Sequence, residues 1–141
     1  MIGTGYVGLV SGTCFADMGH TVYCVDKDEE KIKKLNLGIS PIYEPGLNEL
    51  IKENHKSKRL FFTSNLFDAL KKSDIIFICV GTPNKKNSLS VDLKYVIESA
   101  KEILKFSKNK KIIVTKSTVP VGTGDLIEKI LKNKKKFTVI S

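Results

Sequence analysis

The sequence predicts an α/β protein built on a doubly wound, mostly parallel sheet, and three observations carry that prediction. Strand-like apolar runs alternate with helix-like periodic segments along nearly all of the 141 residues, the pattern of successive β-α-β units. Ile75-Ile76-Phe77-Ile78-Cys79-Val80 is a continuous apolar run, as expected of a central parallel strand covered on both faces. Near the start, Gly3-Thr4-Gly5-Tyr6-Val7-Gly8 spaces three glycines as G-x-G-x-x-G ahead of a helical pattern. Glycines so spaced form a tight turn, let the backbone approach a pyrophosphate closely and let helix pack on strand.

Met1-Ile2 leaves almost no room for the strand that should feed this turn, since strands normally run about five or six residues; the start looks clipped. Val7, Val10, Cys14, Phe15 and Met18 then recur at helical spacing and Gly19 supplies a stop. Thr21 to Val25 is the next strand and delivers Asp26 to its C-terminal end. A helix from about Asp28 to Leu37 turns Ile32 and Leu35 inward and is closed by Gly38. The prolines of Ser40-Pro41-Ile42-Tyr43-Glu44-Pro45-Gly46 rule out helix there. A short helix follows, with Leu47, Leu50 and Ile51 on one face.

Leu60-Phe61-Phe62-Thr63 reads as a strand, Asn65 as an N-cap, and Leu66, Ala69 and Leu70 as the buried side of a brief helix. After the apolar run 75–80 comes a polar loop from Asn84 to Ser90. Asp92 suits the cap of a helix carrying Leu93, Val96, Ile97, Ala100, Ile103 and Leu104. Lys111 to Thr115 is a strand, Leu126, Ile127, Ile130 and Leu131 mark a helix, and Phe137 to Ile140 begins a last strand. Nothing divides the chain, so residues 1–141 are read as one domain, cut short at both ends.

Composition narrows the function classes. The formal net charge of +9 raises the question of nucleic acid. Its densest groups, Lys56/Lys58/Arg59, Lys71/Lys72, Lys108/Lys110/Lys111 and Lys132/Lys134/Lys135/Lys136, fall at helix ends or just before strands, where they complement helix dipoles. One of the 24 basic residues is Arg, whereas base readout leans on Arg. No nucleic-acid partner is therefore expected. Cys14, Cys24 and Cys79 sit in apolar runs and form no C-x-x-C pair, so buried reduced thiols and no metal are expected. No apolar run approaches a membrane span and no signal peptide is evident, which points to a cytoplasmic setting.

The ligand-bearing edge of an open parallel sheet lies at the C-terminal ends of its strands. Asp26, eighteen residues past Gly8, stands where an acidic residue accepts hydrogen bonds from an adenosine ribose. A carboxylate there repels a ribose 2′-phosphate, which argues for NAD over NADP. Lys31 is within reach of the same ribose or a phosphate, or is simply an exposed helix lysine. Gly81-Thr82-Pro83 empties onto the same edge and either lines a cofactor or is an ordinary turn. Lys116-Ser117-Thr118 lies at another strand's C-terminal end and is rich in hydroxyls.

Gly3-Thr4-Gly5-Tyr6-Val7-Gly8-Leu9-Val10, Val25-Asp26, Pro41-Ile42-Tyr43-Glu44-Pro45-Gly46-Leu47, Val80-Gly81-Thr82-Pro83 and Lys116 to Thr123 together resemble the Rossmann-type NAD-binding domain of the UDP-glucose 6-dehydrogenases. The resemblance runs in order along essentially the whole chain. It implies oxidation of a sugar C6 alcohol to a carboxylate, UDP-glucose to UDP-glucuronate, by two hydride transfers to NAD through an enzyme-bound thiohemiacetal and thioester. It places the cofactor over Gly3, Gly5, Tyr6, Val7 and Gly8, with Asp26 and Lys31 at the adenosine ribose. Val80, Gly81 and Thr82 follow along its middle, with Ser117 and Thr118 nearer the nicotinamide. Thr118 also takes on the positioning of water near the reacting centre.

The resemblance further implies that the catalytic cysteine, a central helix and a UDP-sugar-binding domain lie outside these residues. The 141 residues alone are then expected to be inactive, and the complete enzyme to be a homo-oligomer. GDP-mannose and UDP-N-acetylmannosamine dehydrogenases remain alternatives for the sugar, and a stand-alone NAD-binding module for the chain.

Overall fold

The computed structural model describes residues 1–85, 90–132 and 136–141; Lys134 and Lys135 of the last basic group, and 86–89 of the polar loop, lie outside the described residues. Among the described residues six helices and five strands alternate, save for two consecutive helices between the first and second strands. They are α1 (Tyr6–Asp17), β1 (Val22–Val25), α2 (Glu29–Asn36), α3 (Leu47–Lys56), β2 (Leu60–Thr63), α4 (Leu66–Lys71), β3 (Ile75–Ile78), α5 (Lys94–Phe106), β4 (Lys111–Thr115), α6 (Thr123–Leu131) and β5 (Phe137–Ile140).

All strand pairs are parallel: β1 with β2, β3 with β4, and β4 with β5. Ile2 joins the two halves by bridging Val25 on one side and Ile78 on the other. Its amide donates to Phe77 O at 2.8 Å and its carbonyl accepts from Cys79 N at 2.8 Å. On the other side Gly3 N donates to Val25 O, and Val25 N to Met1 O, both at 2.8 Å. The Met1 ammonium donates to Tyr23 O at 2.7 Å. Two residues thus hold the central strand position, and the order across the sheet is β2, β1, Ile2, β3, β4, β5.

Two cores flank this line. Leu9, Ala16, Val22, Cys24, Ile32, Leu35, Leu47, Ile51, Leu60 and Phe62 close α1, α2 and α3 over β1 and β2. Leu70, Ile76, Ile78, Val96, Ala100, Ile103, Ile113, Ile127, Leu131 and Phe137 close α4, α5 and α6 over β3 to β5. Each fully buried Leu or Ile stabilises the fold by about 1.5–3 kcal/mol. The predicted cap Asn65 accepts from Asp68 N at 3.1 Å, and Asp28, at the start of α2, caps that helix by accepting from Lys31 N at 3.0 Å. Asp92 accepts from Lys94 N at 2.9 Å, while Leu93 holds the N-cap position of α5.

Three expectations need correction. The buried face of α1 is Gly8, Leu9, Gly12, Thr13 and Ala16; of the predicted residues, Val10 and Phe15 pack partly buried against the core, while Val7, Cys14 and Met18 do not. Val7 is exposed, and Met18 is 73% exposed. The helix lies so close to β1 that a Cβ on Gly12 would come within 2.7 Å of Cys24 Sγ, which leaves no room for a side chain at that position. Cys14, on the outer side, is exposed, whereas Cys24 and Cys79 are buried. Finally, β3 is covered on both faces only in part: Ile75 is 52% exposed, and its register neighbour Ile112 is also exposed.

Candidate functional site

A cavity of about 540 Å³ opens at the C-terminal ends of β1 and β3, over the glycine turn. Its floor is Ile2, Gly3, Thr4 and Gly5, and its sides are Val25, Asp26, Lys27 and Lys31, then Cys79, Val80 and Gly81. Ser64 and Leu66 close one end, and Tyr95, Glu98, Ser99 and Glu102 of α5 form the far wall.

The turn geometry follows from its glycines. Gly3 has φ +99°, a left-handed conformation that side chains other than glycine's rarely adopt. A Cβ on Gly8 would lie 2.0 Å from Gly3 O, so α1 can start where it does only with glycine there. A Cβ on Gly5 or Gly81 would meet nothing within 4 Å; both line the cavity, and their backbones are open to a ligand. The N-terminus of α1 carries no side-chain cap and no acidic residue in its first turn, whereas α2 has Asp28, Glu29 and Glu30 at the same place. The uncapped amides and the positive end of the dipole suit a pyrophosphate.

Asp26 is the most constrained polar group of the cavity. Its Oδ2 accepts from Thr4 N at 3.0 Å, Thr4 Oγ1 at 2.5 Å and Lys31 Nζ at 3.0 Å, and its Oδ1 accepts from Asp28 N at 3.1 Å. Burial alone would push this carboxyl up. The Thr4 hydroxyl, the Asp28 amide, Lys31 and the Thr4 amide outweigh it and bring the pKa down from 3.8 to about 2. The group is therefore an anion at neutral pH. With one bond on Oδ1, that oxygen keeps acceptor capacity for a hydroxyl. These features fit an adenine dinucleotide.

The remaining predicted residues divide. Gly3, Gly5, Asp26, Lys31, Val80 and Gly81 come together on the cavity. Gly8 is buried beneath the turn. Val7 is exposed outside the cavity, and the Tyr6 hydroxyl donates to Glu44 Oε2 in the segment 40–46. That contact raises the Tyr6 pKa, chiefly by the hydrogen bond and then by the charge of Glu44. Thr82 Oγ1 donates to Thr118 O at 2.9 Å, and Ser117 Oγ donates to Val80 O at 2.7 Å. Thr82, Ser117 and Thr118 thus tie the loop after β4 to the loop after β3, and none of the three lines the cavity.

Sequence reasoning missed Thr4, whose side chain is 99% sequestered at 1% exposure and holds Asp26. Its signal was present, as a hydroxyl between the first two glycines. The α5 wall was missed as well, because Tyr95, Glu98, Ser99 and Glu102 interleave with the apolar face of that helix. Among the described residues no group of three or more His, Cys, Asp or Glu could hold a metal ion, and no helix is long and apolar enough to cross a membrane.

The family described as "UDP-glucose/GDP-mannose dehydrogenase family, NAD binding domain" matches residues 1–141. A UDP-glucose 6-dehydrogenase of Rhizobium meliloti (strain 1021) is 54% identical over 132 residues, 94% of this chain and 30% of that protein. The UDP-glucose 6-dehydrogenase TuaD of Bacillus subtilis (strain 168) is 51% identical over 145 residues, covering 100% of this chain and 31% of that protein. Among solved structures, a UDP-glucose dehydrogenase from Pyrobaculum islandicum superposes with TM-score 0.90 at 35% identity, over 98% of this chain and 33% of that one. A GDP-mannose dehydrogenase from Pseudomonas aeruginosa, solved as a ternary complex, gives 0.89 at 38% identity, over 98% and 34%. The chain therefore spans under a third of the length of the curated relatives it matches.

Proposed function

The chain belongs to the UDP-glucose/GDP-mannose dehydrogenase family through its NAD binding domain, and from that premise we propose that it forms the cofactor-holding part of a cytoplasmic UDP-glucose 6-dehydrogenase. The observation that carries the proposal is Asp26. It is an anionic carboxylate fixed by Thr4, Asp28 and Lys31 at the strand ends beside the glycine turn.

In this reading the glycine turn and the α1 N-terminus hold the pyrophosphate, and Asp26 accepts from the adenosine ribose. Tyr6 and Val7 contribute backbone amides at the same helix end. Lys31, paired with Asp26 at 3.0 Å, stands at the same ribose. Val80, Gly81 and Thr82 run along the middle of the cofactor. Ser117 and Thr118 stand toward the nicotinamide, where Thr118 orients water. NAD, when bound, supplies the hydride acceptor. The protein's part is to orient it and to exclude water around it.

Curated relatives named for UDP-glucose, at 54% and 51% identity, support that sugar, whereas the solved UDP-glucose and GDP-mannose dehydrogenases, at 35% and 38%, do not separate the two. The active enzyme is proposed to be a homo-oligomer with no nucleic-acid partner, and the present residues alone do not turn substrate over.

Titration calorimetry with NAD and NADP tests the proposal. NAD should bind saturably. NADP should bind at least tenfold more weakly, because a 2′-phosphate about 4 Å from the carboxylate meets a repulsion of up to about 4 kcal/mol. Asp26→Ala should erase that preference. A folded chain that binds neither dinucleotide would overturn the proposal.

A further inference from the structure

The cofactor reading uses the glycine turn, Asp26 and Lys31, and leaves the far wall of the same cavity without a role. On α5, residues 95, 98, 99 and 102 recur at spacings of three and four, so a single stripe of the helix faces the cavity. Lys27, the residue after Asp26, reaches across to it. Its Nζ lies 3.7 Å from Glu98 Oε2 and 3.6 Å from Glu102 Oε1. Two carboxylates one helical turn apart repel each other, and Lys27 between them holds both at the cavity edge. Their side chains are 39% and 35% exposed, neither sealed nor free in solvent. Val25, Leu66 and Tyr95 give this end apolar walls. The result is a slot suited to a flat base, with the two carboxylates, which only accept hydrogen bonds, at its edge.

We propose that Glu98 and Glu102 select the base of the dinucleotide by accepting hydrogen bonds from the exocyclic amine of a 6-aminopurine. The inference rests on the reading that the ribose sits at Asp26. The base is one glycosidic bond from that ribose, which brings it to Lys27 and α5. An exocyclic amine offers two N–H donors to the carboxylates. A 6-oxo purine instead turns a carbonyl oxygen toward the two carboxylates, which repel it and cannot donate to it. Ser99 Oγ donates to Tyr95 O at 2.8 Å, and Lys27, 74% exposed, is shared between the two carboxylates. Charge-assisted hydrogen bonds are the stronger kind, and the open rim weakens them, so the expected preference for adenine is about tenfold.

The test is titration with NAD and with nicotinamide hypoxanthine dinucleotide, on the wild-type chain and on E98Q/E102Q. The wild type should bind NAD about tenfold more tightly. The glutamine amides can donate to a 6-oxo group, so in E98Q/E102Q the gap should close to about twofold or less. Equal affinities in the wild type, or a gap unchanged in E98Q/E102Q, would overturn the inference while leaving NAD binding at Asp26 in place. Failure of the wild type to bind either dinucleotide would remove the cofactor reading and this one together.

Discussion

Replacing Asp26 by Asn gives the most quantitative test of the site, because the ligand-free chain already holds the carboxylate in place. Four hydrogen bonds converge on it, and its pKa falls from 3.8 to about 2. A depression of that size stabilises the folded state by about 2.4 kcal/mol at pH 7. Since 16% of the side chain stays exposed, about 2 kcal/mol is the working figure. The folded-state pKa lies below the unfolded one, so this stability is complete above about pH 4 and is lost as pH falls through about 2. At pH 3 roughly half remains. Asn keeps the size but not the charge, and it does not titrate. Urea unfolding of both proteins, followed by circular dichroism at pH 7, 5, 4 and 3, should show a gap of about 2 kcal/mol that shrinks by about 1 kcal/mol between pH 5 and pH 3. A gap that stays constant or widens toward pH 3 would refute the claim that these hydrogen bonds select the ionised form.

Two further substitutions probe the backbone around the cavity. Gly8→Ala would place a Cβ 2.0 Å from Gly3 O, against backbone that cannot rotate away; a loss of about 3 kcal/mol in urea unfolding is expected, and near-native stability would show that the turn yields. Ser117→Ala removes the donor to Val80 O and should cost about 1 kcal/mol, read as a thermal midpoint lower by about 4 °C; an unchanged midpoint would mean that the two loops do not depend on this hydroxyl.

Strand positions were legible because apolar runs bounded by turn residues leave few alternatives: residues 60–63 and 137–140 agree in full. The glycine turn and Asp26 were legible because they stand at fixed separations along the chain. The packing face of α1 was not. Apolar periodicity weighs large side chains, whereas this helix meets the sheet through Gly8, Gly12 and Ala16, small residues spaced four apart whose value lies in what they lack. The α5 wall escaped for a different reason. Glu98 and Glu102 look like solvated helix charges until the fold brings Lys27 and Asp26 to the other side of the same cavity. Cys14 shows the same limit, since an apolar neighbourhood in sequence did not become a buried one in space.

In mechanical terms, the bridge at Ile2 is where the two halves of the sheet are joined. A load drawn across the sheet passes from β1 to β3 through the bonds of Met1, Ile2 and Gly3, namely those to Tyr23, Val25, Phe77 and Cys79. The floor of the cavity starts on the same residues, with Ile2 and Gly3. The line that joins the two halves of the sheet and the cradle for the ligand are therefore one piece of chain, and whatever grips the cradle also fastens the two halves of the molecule to each other.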